Sequence, residues 1–514
     1  MLKTKINTIL LCTLFTLFFP LSAGAQYRNP ILYADVPDMS VCRAGDYFYM
    51  VSTTMHLMPG APIMRSPDMK HWETISYVFS RIDDGPRYDL LEGTAYGQGQ
   101  WASSIRYHDG KFYVWFTANG APGRGFVYTA TDPTGPWKLL SRPPHFHDGS
   151  LLFDDDGRVY LFHSTGQLTE LKTDLTDVLP GGINQQIFER DADEQGLLEG
   201  SSVIKHNGKY YLLMISMDWS IPGRLRREVC YRADKITGPY EKRVILETEF
   251  DGHGGVGQGC IVDGKNGEWY GLIFQDRGGV GRVPCLMPCT WTEDGWPMLG
   301  DEGKDLITYP KPATGKKSKI KSPATTDEFN ASQLGLQWQW NHNPDNSRWS
   351  LKERKGYMRL YASQASTLKD ARNTLTQRVQ GPSCEGSVEM EVTGLKDGNI
   401  AGFGIFEFPY AYVAIRQESG RRKIVMCNDG KDIETVEHFN GDKLWIRVRA
   451  TDKEFKALFY YSLDGVNYKR IGNELQMGLG LPWTANRFAL FNFNTTPQGN
   501  NGYADFNWFR FTNK

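Results

Sequence analysis

Residues 107–116 read YHDGKFYVWF, a turn at Asp109-Gly110 followed by an apolar run rich in aromatics. Asp-Gly supplies the positive-φ residues of a tight hairpin turn, and an aromatic run beside it is strand material. The signature recurs as RAGDYFYMVS at 43–52, FDDDGRVYLF at 153–162, KHNGKYYLLM at 205–214 and GKNGEWYGLI at 264–273. The turn glycines Gly45, Gly110, Gly157, Gly208 and Gly267 are 65, 47, 51 and 59 residues apart, about the length of one four-stranded sheet with its loops. Five copies predict five sheets arranged radially, a five-bladed β-propeller. A second motif puts a turn ahead of an aromatic, as an outer blade edge would: SPDMKHWE at 66–73, TDPTGPWKL at 131–139 and KITGPYEK at 235–242. No long amphipathic helix pattern interrupts these segments, which argues against a (β/α)8 barrel.

Around this repeat the chain divides into segments. Residues 1–25 carry Lys3 and Lys5, an apolar run from Ile9 to Phe19 and Ala23-Gly24-Ala25, the layout of a secretory signal cleaved near Ala25. Export of the mature chain is expected, and no later stretch is apolar for long enough to span a bilayer. The propeller is placed at 26–310. KPATGKKSKIKSP at 311–323 replaces apolar alternation with Lys, Ser, Pro, Gly and Thr and reads as a linker. Residues 324–514 alternate again, as in GSVEMEV at 386–392, YAYVAIR at 410–416 and KLWIRVRA at 443–450, and read as an antiparallel β-sandwich. The fold class is therefore all-β.

With 58 Lys+Arg against 59 Asp+Glu and a net charge of -1, the chain lacks the basic surplus of a nucleic-acid binder. Its 66 aromatics and 54 Gly suit tight turns and clefts that stack on sugar rings. Seven cysteines follow the signal segment, an odd number that excludes a complete disulfide framework, and Cys285 and Cys289 read as small core residues.

Cleaving a glycosidic bond takes two carboxyl groups, one to protonate the leaving oxygen and one to activate water or attack the anomeric carbon. Three acids sit in apolar or Gly/Ser-rich settings ahead of repeated hairpins: Asp38 in ADVPDMSVC, Asp148 in HFHDGSLLF and Glu199 in LLEGSSVIK. On innermost blade strands they would converge on one axial pocket.

These segments resemble family 43 of the glycoside hydrolases. NP-x(7)-D ending at Asp38, HDGSLLFDDDG, EGSSVIKHNGKYY, DGHGGVGQG and GRVPCLMPCTWTEDGWP occur in that family's order across residues 28–300. The resemblance implies a five-bladed propeller hydrolysing with inversion and needing no cofactor for the chemistry. It casts Asp38 as general base, Glu199 as general acid and Asp148 as the acid that tunes and orients the proton donor. His253 resembles a histidine near the pocket floor. Arg282 resembles an arginine that holds a sugar hydroxyl or pairs with a carboxylate, and Trp101 a subsite aromatic. Two departures stand out: the base segment reads PDMS rather than PDPS, with Asp35 as the fallback base, and WASS at 101–104 replaces WAP.

TTDEFN and YADFNWFRF resemble the ends of the concanavalin-like sandwich appended to family 43 xylosidases and arabinofuranosidases. In that group the sandwich packs on the propeller and helps wall the pocket. A structural calcium is allowed there, with Asp327 and Asp505 as candidate ligands. The resulting expectation is an exo-acting inverting enzyme that releases terminal β-D-xylosyl or α-L-arabinofuranosyl residues from plant oligosaccharides. The alternatives are an exo-galactosidase, an arabinanase, or a glycan-binding propeller without catalysis.

Overall fold

The computed structural model describes residues 26–120, 123–304, 308–310, 322–478, 483–497 and 499–514. The segment read as a secretory signal, 1–25, and most of the segment read as a linker, 311–323, lie outside the described residues. Apart from four short 3₁₀ turns, the regular structure among them is strand.

Five four-stranded antiparallel sheets form the blades. Their innermost strands are Ser40–Ala44, Gly99–His108, Ser150–Phe153, Gly196–His206 and Val256–Asp263 in blades I to V. Each touches the next, and the last returns to the first, so the ring closes. Every quoted hairpin is the turn between a blade's first and second strands. Asp109-Gly110 and Asn207-Gly208 both hold two successive positive-φ residues, the geometry that Asp-Gly and Asn-Gly favour. The second motif forms the outer turn before Glu73–Phe79, Lys138–Ser141 and Glu241–Glu247.

Blade strands are apolar on both faces because each blade packs against a neighbour on either side. Along Lys111–Asn119, Phe112, Val114 and Phe116 enter the core shared with blade I, while Trp115 enters the core shared with blade III. Full burial of each such side chain is worth about 1.5–3 kcal/mol, so the packed ring is held mainly by these inter-blade cores. Cys230, Cys260, Cys285 and Cys289 lie in the core around blade V, as small apolar fillers.

Near the axis, small residues let the inner strands approach. Ser40, Ser104 and Ser150 accept hydrogen bonds from the N–H groups of Ile105, Leu151 and Val203 in the following blades. The Arg106 guanidinium donates to Ser40 Oγ, Ser150 Oγ, Leu151 O and Val203 O, tying four blades together. The ring closes without a shared strand. Gln26–Arg28 pairs with Thr308–Pro310, while Asn29 exchanges two hydrogen bonds with the Leu286 backbone.

The C-terminal part is a sandwich of two sheets, antiparallel except where Ser363–Gln364 pairs in parallel with Arg487–Asn494, around Phe403, Val413, Ile446, Phe488 and Phe509. Between its second and third strands, blade I sends out Leu57–Met58, which pairs with Trp340–Asn341 at the edge of a sandwich sheet. The propeller thus supplies a strand to the sandwich. Asp505 is held by Arg354 and Arg359, and Asp327 by Trp338 Nε1, Gln337 and the Phe329 N–H. Those partners occupy oxygens of both acids, and neither acid belongs to a cluster of three or more His, Cys, Asp or Glu ligand atoms among the described residues. No helix among the described residues is long and apolar enough to cross a membrane.

Candidate active site

Three inner strands bulge at the same end: between Gln100 and Ser103, Glu199 and Ser202, and Val256 and Gly259. A bulge twists a strand and re-aims its side chains. Here the bulges turn Trp101, Glu199 and Gln258 toward the axis, into a cavity of about 590 Å³. Asp38 and Asp148 reach the same cavity from residues in the left-handed region, φ 52° and 49°, two positions before Ser40 and Ser150. Gly200 permits the close approach. Its φ is +76°, and a Cβ there would lie 2.3 Å from Gln258 Cδ.

Asp38, Asp148, Glu199, Arg282 and Trp101 therefore line one cavity. Arg282 Nη1 donates to Asp38 Oδ1 at 2.8 Å, so this arginine pairs with a carboxylate. Asp35 lies outside that cavity and accepts the Arg282 N–H at 2.8 Å. Burial pushes its carboxyl above the ordinary range, against the nearby Arg282 and Arg378 charges. His253 does not reach the cavity. The Phe250–His253 turn directs its ring onto Phe455 of the sandwich, 5.8 Å between centroids, while Gln258 on the bulged inner strand lines the wall instead. The pocket-floor assignment of His253 is corrected accordingly.

A residue missed from the sequence stands between two of the acids. His147 Nε2 is 3.5 Å from Glu199 Oε2 and 3.7 Å from Asp148 Oδ2, with its ring 5.6 Å from that of Trp101. Burial opposes its protonation, but the Glu199 hydrogen bond and the charges of Asp148, Glu199 and Asp38 outweigh it and push the imidazole up to about 9. Asp148 is 5 % exposed. Its Oδ2 accepts the Gly200 N–H at 3.0 Å, and its buried Oδ1 has no partner. Burial is the main cause that raises its carboxyl, to about 7; the His147 cation lowers it, and Glu199 and Asp38 raise it further. The available signal for His147 was its place beside an acid in a Gly/Ser turn.

These shifts make stability fall as pH rises. The raised histidine contributes stability that is fully present below about pH 6.5 and lost by about pH 9, whereas the ionised, buried Asp148 contributes a penalty that grows from about pH 4 to pH 7. Asp148→Asn should therefore melt a few degrees above wild type at about pH 8. The melting deficit of His147→Gln should be largest below about pH 6.5 and disappear above about pH 9. Melting curves across this range check both signs.

The rest of the cavity is more apolar. Leu197, Ile215, Met217, Leu225 and Phe274 line it, with Trp219, 67 % exposed, beside them. Arg226 pairs with Asp276 at 2.6 Å on this side. Opposite, Trp483 of the sandwich lines the cavity, and its carbonyl accepts from Arg282 Nη2 at 3.3 Å. The sandwich thus walls the pocket, as the resemblance implied. His147, Asp148 and Glu199 also present ligand atoms within 4.8 Å of one another. The Nε2 contacts of His147 with both acids give the trio an internal ion pair.

Acids on several blades around a sugar-sized cavity suit acid–base hydrolysis of a glycosidic bond. The comparisons with known proteins agree with this geometry. The model of glycosyl hydrolases family 43 matches residues 27–297, and that of the beta-xylosidase C-terminal concanavalin A-like domain matches 326–512. A beta-xylosidase of Formosa agariphila is 29 % identical, covering 94 % of this chain and 90 % of its own length. A non-reducing end alpha-L-arabinofuranosidase of Bacteroides ovatus is 28 % identical, covering 95 % of each chain. A solved bifunctional GH43-CE protein of Bacteroides eggerthii superposes with a TM-score of 0.88 at 39 % identity over 96 % of this chain. This chain spans 64 % of that longer protein. Since the first match covers more than half of the chain and falls on the five blades that carry the cavity, the protein belongs to family 43 of the glycosyl hydrolases.

Proposed function

We propose that this protein is an exported, exo-acting glycosidase that removes terminal β-D-xylosyl or α-L-arabinofuranosyl residues from plant-derived oligosaccharides by a single displacement with inversion. The observation that carries this reading is the meeting of Asp38, Asp148 and Glu199, from three blades, in one cavity walled on one side by the sandwich residue Trp483. A wall on that side suits a chain end better than the middle of a polymer. The names of the Formosa and Bacteroides ovatus relatives support the two sugars. The charged and apolar pattern of residues 1–25 supports export.

In this mechanism Asp38, oriented by Arg282, takes a proton from the attacking water. Glu199 delivers a proton to the leaving oxygen. Asp148 is neither donor nor base; with His147 it sets the charge around Glu199 and holds the backbone of Gly200, the next residue. The two working carboxyls need room for water between them, about 6.5–9.5 Å for inversion. Hydrolysis this way needs only water besides the saccharide.

The test is a screen of the purified protein on nitrophenyl xyloside, arabinofuranoside and galactoside, with products from oligosaccharides identified. Release of single xylose or arabinose units from chain ends is expected. Exclusive galactoside cleavage, internal cleavage of arabinan, or glycan binding without turnover would each overturn the reading.

A further inference from the structure

One carboxylate outside the cavity lies between two of its walls. Glu407 follows the sandwich strand Asn399–Phe406, is fully buried, and stands at φ +86°, a conformation that L-residues rarely adopt. Its Oε2 accepts the Thr484 hydroxyl at 3.0 Å, and its Oε1 stands 3.4 Å from Nε2 of the fully buried His56. The neighbours in sequence give this placement its meaning. Thr484 follows Trp483, which walls the cavity from the sandwich. His56 follows Met55, which walls it from the propeller and exchanges backbone hydrogen bonds with Gln100, beside Trp101.

Neither Thr484 nor His56 lines that cavity. Tyr96 and His342 pack around His56, with ring centroids 4.7 and 4.8 Å away. Asn486 fixes the other side of Thr484. Its N–H donates to Gly279 O of the propeller, its Nδ2 to Pro409 O, and its Oδ1 accepts the Gly478 N–H. The backbone on the sandwich side is thus fixed at Asn486, and among the described residues the Thr484 hydroxyl ties down the position next to Trp483.

We propose that Glu407 is a positioning residue for hydrolysis, acting through Thr484 to hold Trp483 against Arg282 and the saccharide. This rests on the reading that the cavity takes the saccharide chain. A strained, buried acid persists only where its surroundings over-determine it, and such positions gather at ligand clamps. Trp483 carries no group that gives or takes a proton in the hydrolysis, so its loss should weaken binding more than chemistry.

The experiment compares Thr484→Val, Thr484→Ser, Glu407→Gln and Trp483→Ala in the full-length protein. Steady-state kinetics on a xylo- or arabino-oligosaccharide are read alongside amide exchange in the peptide spanning 483–490. Thr484→Val, which keeps the shape and loses the hydroxyl, should raise KM about 5–10-fold with kcat within about twofold, and speed exchange. Thr484→Ser should restore wild-type KM. Glu407→Gln, whose amide oxygen still accepts the hydroxyl, should stay closer to wild type than Thr484→Val. Wild-type KM in Thr484→Val together with a raised KM in Trp483→Ala would overturn the tie itself. Wild-type KM in both would overturn it by removing Trp483, and the reading of the cavity, from saccharide binding. A lower melting temperature in Thr484→Val with no change in KM would likewise reduce Glu407 to a structural residue.

Discussion

Glu199→Gln is expected to lower kcat/KM on natural oligosaccharides about 10³-fold while leaving the fold intact, because an amide has no proton to give the departing sugar oxygen. Glu199 is half-buried on the bulge of blade IV, with its oxygen directed at His147. Glutamine fills the same space and can keep a hydrogen bond to the imidazole, so stability should change little. A nitrophenolate leaving group departs without protonation. On nitrophenyl glycosides the same variant should therefore lose much less, about tenfold. Steady-state kinetics on the two substrate types check the contrast. Equal losses on both would assign Glu199 a role other than proton donor.

Asp38→Asn should lose about 10³-fold or more on every substrate, since water must be deprotonated whatever the leaving group. The variant also leaves Arg282 without its carboxylate partner at 2.8 Å, so the cation in the cavity is no longer neutralised. Asp35→Asn should keep substantial activity. Its carboxylate faces the Arg282 backbone rather than the cavity, and an asparagine oxygen can accept the same N–H. Kinetics of the two variants on one nitrophenyl glycoside and one oligosaccharide decide between them. A dead Asp35→Asn beside an active Asp38→Asn would move the base three residues upstream.

The five blades were legible because each repeats a turn glycine before an aromatic strand, and that pairing depends on neighbours in sequence. Asp38, Asp148 and Glu199 were legible for the same reason, lying just ahead of or at the start of inner strands. His253 misled because GHGG and GQG adjoin in sequence. Only the bulge between Val256 and Gly259 settles that Gln258 turns inward, and the Phe250–His253 turn sends the histidine outward. Trp219 and Trp483 carried no signal, since one stands on an irregular loop of blade IV and the other arrives from a separate sheet architecture. The strand Leu57–Met58 was hidden inside the apolar stretch HLMPGAPIM, where nothing local separates a residue serving the blade from one serving the sandwich. Asp505 draws Arg359 from a strand 146 residues away, beyond the reach of local pattern, whereas Asp327 takes its partners from residues 329–338.

The most direct test of the account is the configuration of the first-formed product. Proton NMR spectra recorded in the first minutes of hydrolysis, before mutarotation, distinguish the two anomers of the released sugar. A single displacement by water, activated at Asp38 and with the leaving oxygen protonated by Glu199, predicts that a β-xyloside first gives α-xylose. Initial accumulation of β-xylose would show that configuration is retained through a covalent intermediate, and would contradict the assignment of Asp38 as a base acting on water.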